Sequence, residues 1–110
     1  MKVIRYNKLI RDRIPEIIRQ AGATCQIKKL NQAEYRHYLV EKLEEEAKEL
    51  KKFKNKKQLI NELVDLQEII DAIVKEFELG KSKLSKEQRV KRLKRGGFQK
   101  KLFLIKTIEK

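Results

Sequence analysis

The stretch from Tyr35 to Phe53 repeats its apolar residues at the spacing of an α-helix. At roughly 100° per residue, the residues that share one direction to within about 40° are Leu39, Leu43, Leu50 and Phe53. Asn31, followed three positions later by Glu34, provides the capping pair that opens many helices. The pattern predicts a long helix from Asn31 to about Phe53.

A second stretch, from Asn55 to Leu79, carries a broader apolar stripe. Asn55 with Gln58 forms its predicted start, and Gly80 ends it. The central stripe consists of Leu59, Leu63, Leu66, Ile70, Ile73 and Phe77, and it is widened by Ile60, Val64, Ile69 and Val74. Two helices with such broad stripes do not cover each other completely. We therefore expect a homodimer, or a higher homo-oligomer, in which two helical hairpins form a four-helix bundle.

Shorter elements flank the two long helices. Asp12 offers an N-cap for a helix from Ile14 to Ala21, which Gly22 would end. Ser85 with Gln88 predicts a helix that stops at Gly96 and Gly97. Extended segments are predicted at 2–6, 24–30 and 98–108. The predicted fold is mainly α, with short β segments at the termini and a single domain over residues 1–110.

Carboxylates interrupt the apolar stripes. Glu46 lies about 20° from the direction of Leu39, and Glu49 lies at the edge of that stripe. Glu62 and Asp65 repeat the three-residue spacing on the next helix. An uncompensated buried carboxylate is costly, so such groups are normally paired, protonated or bound to a metal. An antiparallel hairpin would bring all four together, and a set of oxygen ligands favours Mg²⁺ or Mn²⁺.

The alternative for acidic residues in a lysine-rich chain is that they only form pairs with lysines on solvated helix faces. That explanation suits Glu44, Glu45 and Glu76 when composition alone is considered. It fits Glu46 and Glu62 poorly, because their neighbours around the helix are apolar.

The composition of the chain indicates which classes of partner it can bind. The 110 residues carry a formal net charge of +13, with 41% charged and 6% aromatic residues, which favours an anionic partner such as a nucleotide, a nucleic acid or a membrane surface. Cys25 is the only cysteine, so no internal disulfide and no thiolate zinc site can form. No apolar run reaches the length of a membrane span, and residues 1–11 do not resemble a secretory signal. We expect a cytoplasmic protein without a membrane partner.

Three motifs follow one another along the chain. The acidic residues spell EExxE, a spacer and ExxD, with the letters falling on Glu45, Glu46, Glu49, Glu62 and Asp65. Residues 6–15 read YNKLIRDRIP, and residues 94–98 read KRGGF. Together they resemble the MazG-like all-α NTP pyrophosphohydrolases, in particular the phosphoribosyl-ATP pyrophosphohydrolase-like branch. The resemblance extends over almost the whole chain.

The resemblance implies an enzyme, a nucleotide pyrophosphohydrolase (NTP diphosphatase). Its reaction would be Mg²⁺-dependent hydrolysis of a nucleoside triphosphate, or a substrate like phosphoribosyl-ATP, between the α and β phosphates, releasing pyrophosphate. Metal-ligand roles carry over to Glu46, Glu49, Glu62 and Asp65, and catalytic roles to Glu45 and Glu46, with Glu45 expected either to orient a water or to act from outside the set of ligands. The candidate substrate-binding residues are Lys8, Arg11, Asp12, Lys91, Lys94 and Arg95.

Two other functions compete with this hypothesis. The stretch from Lys81 to Lys101 is densely basic and could follow the phosphates of a nucleic acid. Its aromatic residues do not alternate with the basic ones as stacking platforms would, which makes nucleic acid the less favoured partner. A regulatory dimer without catalysis is the other alternative. No Walker A loop or dinucleotide fingerprint occurs, so a triphosphate would have to be held by metal and cationic side chains.

Overall fold

Four α-helices make up the regular secondary structure of the computed structural model, which describes residues 1–110. They are α1 (Ile14–Gln20), α2 (Gln32–Leu50), α3 (Lys56–Glu76) and α4 (Lys81–Arg95). The prediction of a mainly α chain is confirmed. None of the four helices combines the length and the apolar character that crossing a membrane would require.

The starts of α2 and α3 are fixed by side-chain caps. The Asn31 side chain accepts a hydrogen bond of 2.9 Å from the backbone N–H of Glu34. The Glu34 carboxylate accepts one of 3.2 Å from the backbone N–H of Asn31 in return. Asn55 accepts a bond of 2.9 Å from the backbone N–H of Gln58. These bonds satisfy N–H groups that have no partner within a helix, and they confirm both predicted starts.

The starts of the two shorter helices, α1 and α4, differ from the prediction. Arg13 rather than Asp12 precedes α1, and no side chain caps that helix. The backbone N–H of Ile14 instead donates to the carbonyl oxygen of Arg11 at 3.1 Å, so the predicted cap by Asp12 is wrong. The fourth helix begins at Lys81, four positions before Ser85, because the intervening lysines are good helix formers and Gly80 precedes them.

No β-strand is present in the structure. The segments predicted as strands, at 2–6, 24–30 and 98–108, form neither helix nor strand. A strand requires a neighbouring backbone for its hydrogen bonds, and alternation of side chains alone does not provide one. In the last of these segments Phe98 is 99% exposed and Ile108 is 85% exposed, so this alternation corresponds to no buried face.

Contacts along the chain divide it into two compact units, residues 1–78 and residues 79–110. In the first unit, α2 and α3 form an antiparallel hairpin. Arg36 near the start of α2 forms an ion pair with Glu76 at the end of α3, with Nε and Oε1 3.7 Å apart. Glu46, close to the end of α2, lies beside Glu62 near the start of α3. Because the two helices run in opposite directions, the end of α2 lies beside the start of α3, and the start of α2 lies beside the end of α3.

The core of the hairpin is small. Only Leu39 of α2 and Ile69 and Val74 of α3 are buried, with exposures of 3%, 8% and 7%. From its start to Ile70, one side of α3 keeps its apolar side chains largely exposed, and this surface, called the outer α3 face below, comprises Ile60, Leu63, Val64 and Ile70. The exposures of these four range from 37% to 61%, so the broad stripe is only partly covered within one chain.

The second unit contains α4 and the segment that follows it. Residues 79–110 hold twelve lysines or arginines and two glutamates, a formal net charge of +10 out of the +13 of the whole chain. Gly96, with φ +80°, directly follows α4. A positive φ at this position is costly for residues with a side chain, which explains the glycine that ends the helix. The prediction of one domain over residues 1–110 stays a prediction.

Candidate metal site

Three carboxylates meet between α2 and α3. One oxygen from each of Glu46, Glu62 and Asp65 lies within 4.8 Å of the others, and we call these three residues the acidic cluster. Glu46 comes from α2, whereas Glu62 and Asp65 come from one face of α3 because they are three positions apart. The antiparallel packing of α2 and α3 brings the carboxylate of Glu46 beside those of Glu62 and Asp65. Three of the four predicted metal ligands are therefore brought together.

Glu46 is the most shielded of the acidic residues that form ion pairs. Its side chain is 14% exposed, which agrees with its position on the helix face predicted to point inward. Burial raises the pKa of Glu46, while Lys42 at 3.8 Å lowers it. The carboxylates of Asp65, Glu62 and Glu45 raise it further, and the net shift is upward. A group with this balance is stabilised by an additional positive charge nearby.

Two basic side chains contact the acidic cluster. Arg11 donates a hydrogen bond of 2.8 Å from Nη2 to Oδ1 of Asp65. Lys42 pairs with Glu46, and its own side chain is only 17% exposed. Glu62 takes part in none of the ion pairs of the structure. Two cations thus face three carboxylates, which leaves one negative charge without a direct partner.

Glu49, the fourth predicted ligand, lies outside the acidic cluster. Its side chain is 49% exposed and pairs with Lys52 at 3.5 Å. At roughly 100° per residue, three positions turn Glu49 about 60° away from Glu46, which moves it toward the solvated side of α2. The structure therefore separates the two acids that the motif places together.

The N-terminal segment brings its basic residues to the same side of the hairpin. Lys8 Nζ lies 4.0 Å from Oε1 of Glu45 and 5.6 Å from the centre of the Tyr6 ring. Asn7 has φ +49°, a left-handed conformation that asparagine tolerates better than most residues, and it turns the chain immediately before Lys8. Glu45 is therefore held by a cation next to the acidic cluster, with 43% of its side chain exposed.

The remaining predicted substrate residues are exposed. Asp12 does not cap α1. Its charge is one cause of the raised pKa of Tyr35, after burial of that hydroxyl and the charge of Glu76. Lys91, Lys94 and Arg95 lie on the second half of α4 and make no ion pair. The structure gives them no contact that would define a binding role.

The donor set of the acidic cluster suits a hard divalent cation. All three groups supply carboxylate oxygen, with no nitrogen or sulfur ligand nearby, which favours Mg²⁺ or Mn²⁺ over zinc. Three protein ligands leave part of a six-coordinate shell for water or phosphate oxygen. A shallow surface depression adjoins Glu62 and is lined by residues of the first turns of α3 and its cap, namely Asn55, Lys57, Gln58, Ile60, Asn61 and Val64.

Two features of the hairpin are not evident from the pattern of apolar and acidic residues. Lys42 is the direct partner of Glu46, and the four-residue spacing between them was the available signal. At the opposite end of the hairpin, the guanidinium of Arg36 lies 4.5 Å from the centre of the Phe77 ring. Arg36 also pairs with Glu76, although its Nε has no hydrogen-bond partner. These contacts join the start of α2 to the end of α3.

Comparisons of the chain with models of protein families, with curated proteins and with solved structures found no match. The resemblance carried by the three motifs therefore stays a prediction. What the structure adds is geometric, since it brings Glu46, Glu62 and Asp65 together and puts Arg11 in contact with them.

Proposed function

We propose that the chain is a Mg²⁺-dependent nucleotide pyrophosphohydrolase. It would cleave a nucleoside triphosphate, or a substrate like phosphoribosyl-ATP, between the α and β phosphates and release pyrophosphate. The observation that carries this proposal is the meeting of Glu46, Glu62 and Asp65 within 4.8 Å. The motifs that contain these residues supply the reaction class. The cytoplasmic location expected from the single cysteine belongs to the same proposal.

The proposed chemistry assigns separate tasks to the acidic and basic residues. Glu46, Glu62 and Asp65 would hold Mg²⁺, which, when bound, neutralises phosphate charge and makes a coordinated water more acidic. Glu45 lies beside the acidic cluster without belonging to it, and it is our candidate for accepting the proton of the attacking water. Lys8 and Arg11 are the nearest N-terminal cations and would contact phosphate oxygens through charge-assisted hydrogen bonds.

We also propose that two copies of the hairpin pair through the outer α3 face. Ile60, Leu63, Val64 and Ile70 are each at least 37% exposed, although they lie on a helix that supplies most of the small core. Apolar faces of neighbouring helices pack together because burial removes their surface from water. A second copy offers an identical apolar face, which gives the four-helix bundle of the sequence prediction.

A pyrophosphate-release screen tests the proposed reaction. The full-length protein is incubated with canonical, deaminated and oxidised nucleoside triphosphates and with phosphoribosyl-ATP, in Mg²⁺ and in EDTA. We expect pyrophosphate and the corresponding monophosphate from at least one substrate in Mg²⁺, and none in EDTA. Glu62→Gln should abolish this release, whereas Glu44→Gln, which alters an exposed acid paired with Lys48, should retain it.

The outcome that contradicts the enzyme is specific. Absence of pyrophosphate from every substrate in Mg²⁺ and in Mn²⁺, with the protein folded, would refute the proposed reaction and favour a module without catalysis. Release that persists unchanged in Glu62→Gln would refute the assignment of the site.

A nucleic-acid-binding role is the second candidate, and one observation favours it. Residues 79–110 carry a formal net charge of +10, a concentration of charge that attracts phosphate backbones. Lys91, Lys94 and Arg95 contribute to it and are exposed. Charge of this kind gives binding that weakens steeply with salt, so the salt dependence of binding to duplex and single strands distinguishes this role from catalysis.

A further inference from the structure

The contact between Arg11 and Asp65 is the one side-chain hydrogen bond that joins distant parts of the chain. It spans 54 positions, whereas the other side-chain hydrogen bonds join residues three to six positions apart. At 2.8 Å it is also the shortest of the ion pairs. Arg11 precedes α1 and Asp65 lies within α3, so this bond attaches the N-terminal segment to the helical hairpin.

The charge balance of the acidic cluster makes this contact more than a surface ion pair. Without a metal, Arg11 and Lys42 provide the two positive charges that contact the three carboxylates. A divalent cation bound by the same carboxylates would bring the same formal charge. It would also repel a guanidinium held against one of its ligands, since like charges at short range oppose each other.

Exposure indicates which of the two side chains can leave. The Arg11 side chain is 52% exposed, whereas that of Lys42 is 17% exposed and is fixed on the same helix as Glu46. Arg11 lies outside the helices, and only its backbone carbonyl oxygen bonds to α1, so its guanidinium can leave Asp65 without breaking a helical hydrogen bond. Of the two cations, Arg11 is therefore the one whose side chain can leave the acidic cluster.

We propose that Arg11 is an internal counter-ion of the acidic cluster that competes with the divalent metal for Asp65. In the metal-free protein it neutralises Asp65 and holds the N-terminal segment on α3. When the metal binds, the Arg11 guanidinium leaves Asp65 and becomes available to an anionic group such as a phosphate. This inference rests on the proposed metal site and adds the group that the metal displaces.

Competition predicts a gain of metal affinity when Arg11 is removed. Mn²⁺ is titrated into full-length wild type, Arg11→Ala, Arg11→Lys and Arg5→Ala, with binding followed by calorimetry or by the spin resonance of free Mn²⁺. We expect Arg11→Ala to bind Mn²⁺ about two- to fivefold more tightly than wild type, the range that an exposed ion pair can hold back. Arg11→Lys should bind as wild type does, because lysine still offers a charge to Asp65.

Arg5→Ala is the matched control. Arg5 is an exposed arginine of the same segment and takes part in none of the ion pairs, so its removal changes the net charge equally without touching the acidic cluster. Equal gains in Arg5→Ala and Arg11→Ala would show a general charge effect and overturn the proposal. Circular dichroism of each variant checks that the helices are retained.

The remaining outcomes separate the counter-ion from the metal site itself. If wild type binds Mn²⁺ and Arg11→Ala binds it equally or more weakly, Arg11 supports Asp65 rather than competing for it, and the counter-ion proposal fails alone. If neither wild type nor Arg11→Ala binds Mn²⁺, the proposed metal site fails and the counter-ion role fails with it. Binding by Arg11→Ala but not by wild type would be the strongest support for competition.

Discussion

Glu46 and Lys42 form an ion pair of 3.8 Å across one turn of α2, and both side chains are shielded, with exposures of 14% and 17%. Despite this partner, the net effect of the surroundings is to raise the pKa of Glu46, because burial and three neighbouring carboxylates outweigh Lys42. The ionised form of Glu46 is thus less favourable in the folded metal-free protein than in the unfolded chain. This electrostatic cost is what a bound dication would remove.

Glu46→Gln should therefore stabilise the metal-free protein at neutral pH. A carboxyl group with a raised pKa adds stability below its ordinary value of 4.5, and this contribution is lost as pH rises through the raised pKa. We expect the variant to unfold at higher urea concentration than wild type at pH 7 in EDTA. The difference should shrink as pH falls toward 4.5. If the variant is less stable than wild type at pH 7 in EDTA, the ionised carboxylate of Glu46 does not destabilise the metal-free protein, and the prediction is wrong.

The small core makes the hairpin sensitive to single truncations. Leu39 is 3% exposed, so Leu39→Ala should lower the free energy of unfolding by about 2–4 kcal/mol through lost burial and a cavity. Its neighbour Val40 is 56% exposed and provides the control, since Val40→Ala should change it by less than about 0.5 kcal/mol. Urea denaturation followed by circular dichroism measures both. Equal effects would show that Leu39 is not the centre of the core.

Local signals in the sequence predicted the elements that depend on local bonds. Asn31 with Glu34 predicted a helix start that the structure confirms, because both bonds of the cap lie within four residues. The inward position of Glu46 followed from helical periodicity in the same way. The predicted cap by Asp12 failed because the carbonyl oxygen of Arg11 accepts the bond from Ile14 instead.

Features that depend on distant parts of the chain were not accessible from the pattern. The bond between Arg11 and Asp65 depends on the path of a segment without regular structure, which no periodicity describes. The terminal strands failed for the same reason, since alternation predicts a strand only where another strand pairs with it. Glu49 is a different case: the acidic motif grouped it with Glu46, whereas helical periodicity put it at the edge of the apolar stripe. The structure agrees with the periodicity, because Glu49 pairs with Lys52 outside the acidic cluster.

The outer α3 face should determine the state of association. Sedimentation at micromolar concentration should show a dimer, and Ile60→Lys with Val64→Lys should shift it toward monomer by placing charge on the apolar surface. Ile17→Lys is the control, because Ile17 is 54% exposed on α1 outside that face. A stable monomer of the wild type under these conditions would contradict the bundle.

Arg95 separates the enzyme from the nucleic-acid-binding alternative. If Arg95 contacts a triphosphate, Arg95→Ala should lower kcat/KM by an amount equivalent to about 1–3 kcal/mol. Arg89→Ala, on the same helix, removes the same charge from a position without an assigned role. Unchanged hydrolysis in Arg95→Ala, combined with a reduction of about one unit in the log–log salt slope for nucleic-acid binding, would favour the alternative.

The most direct test of the account is a Mn²⁺ titration of two double variants that remove the same charge. Glu46→Gln with Glu62→Gln changes the acidic cluster, whereas Glu44→Gln with Glu49→Gln changes two exposed acids that pair with Lys48 and Lys52. We predict that the first pair weakens Mn²⁺ binding at least about tenfold, since even residues that only support metal ligands cost that much. The second pair should bind as wild type does. Wild-type affinity in the cluster variant, or an equal loss in both variants, would contradict a metal site formed by Glu46, Glu62 and Asp65.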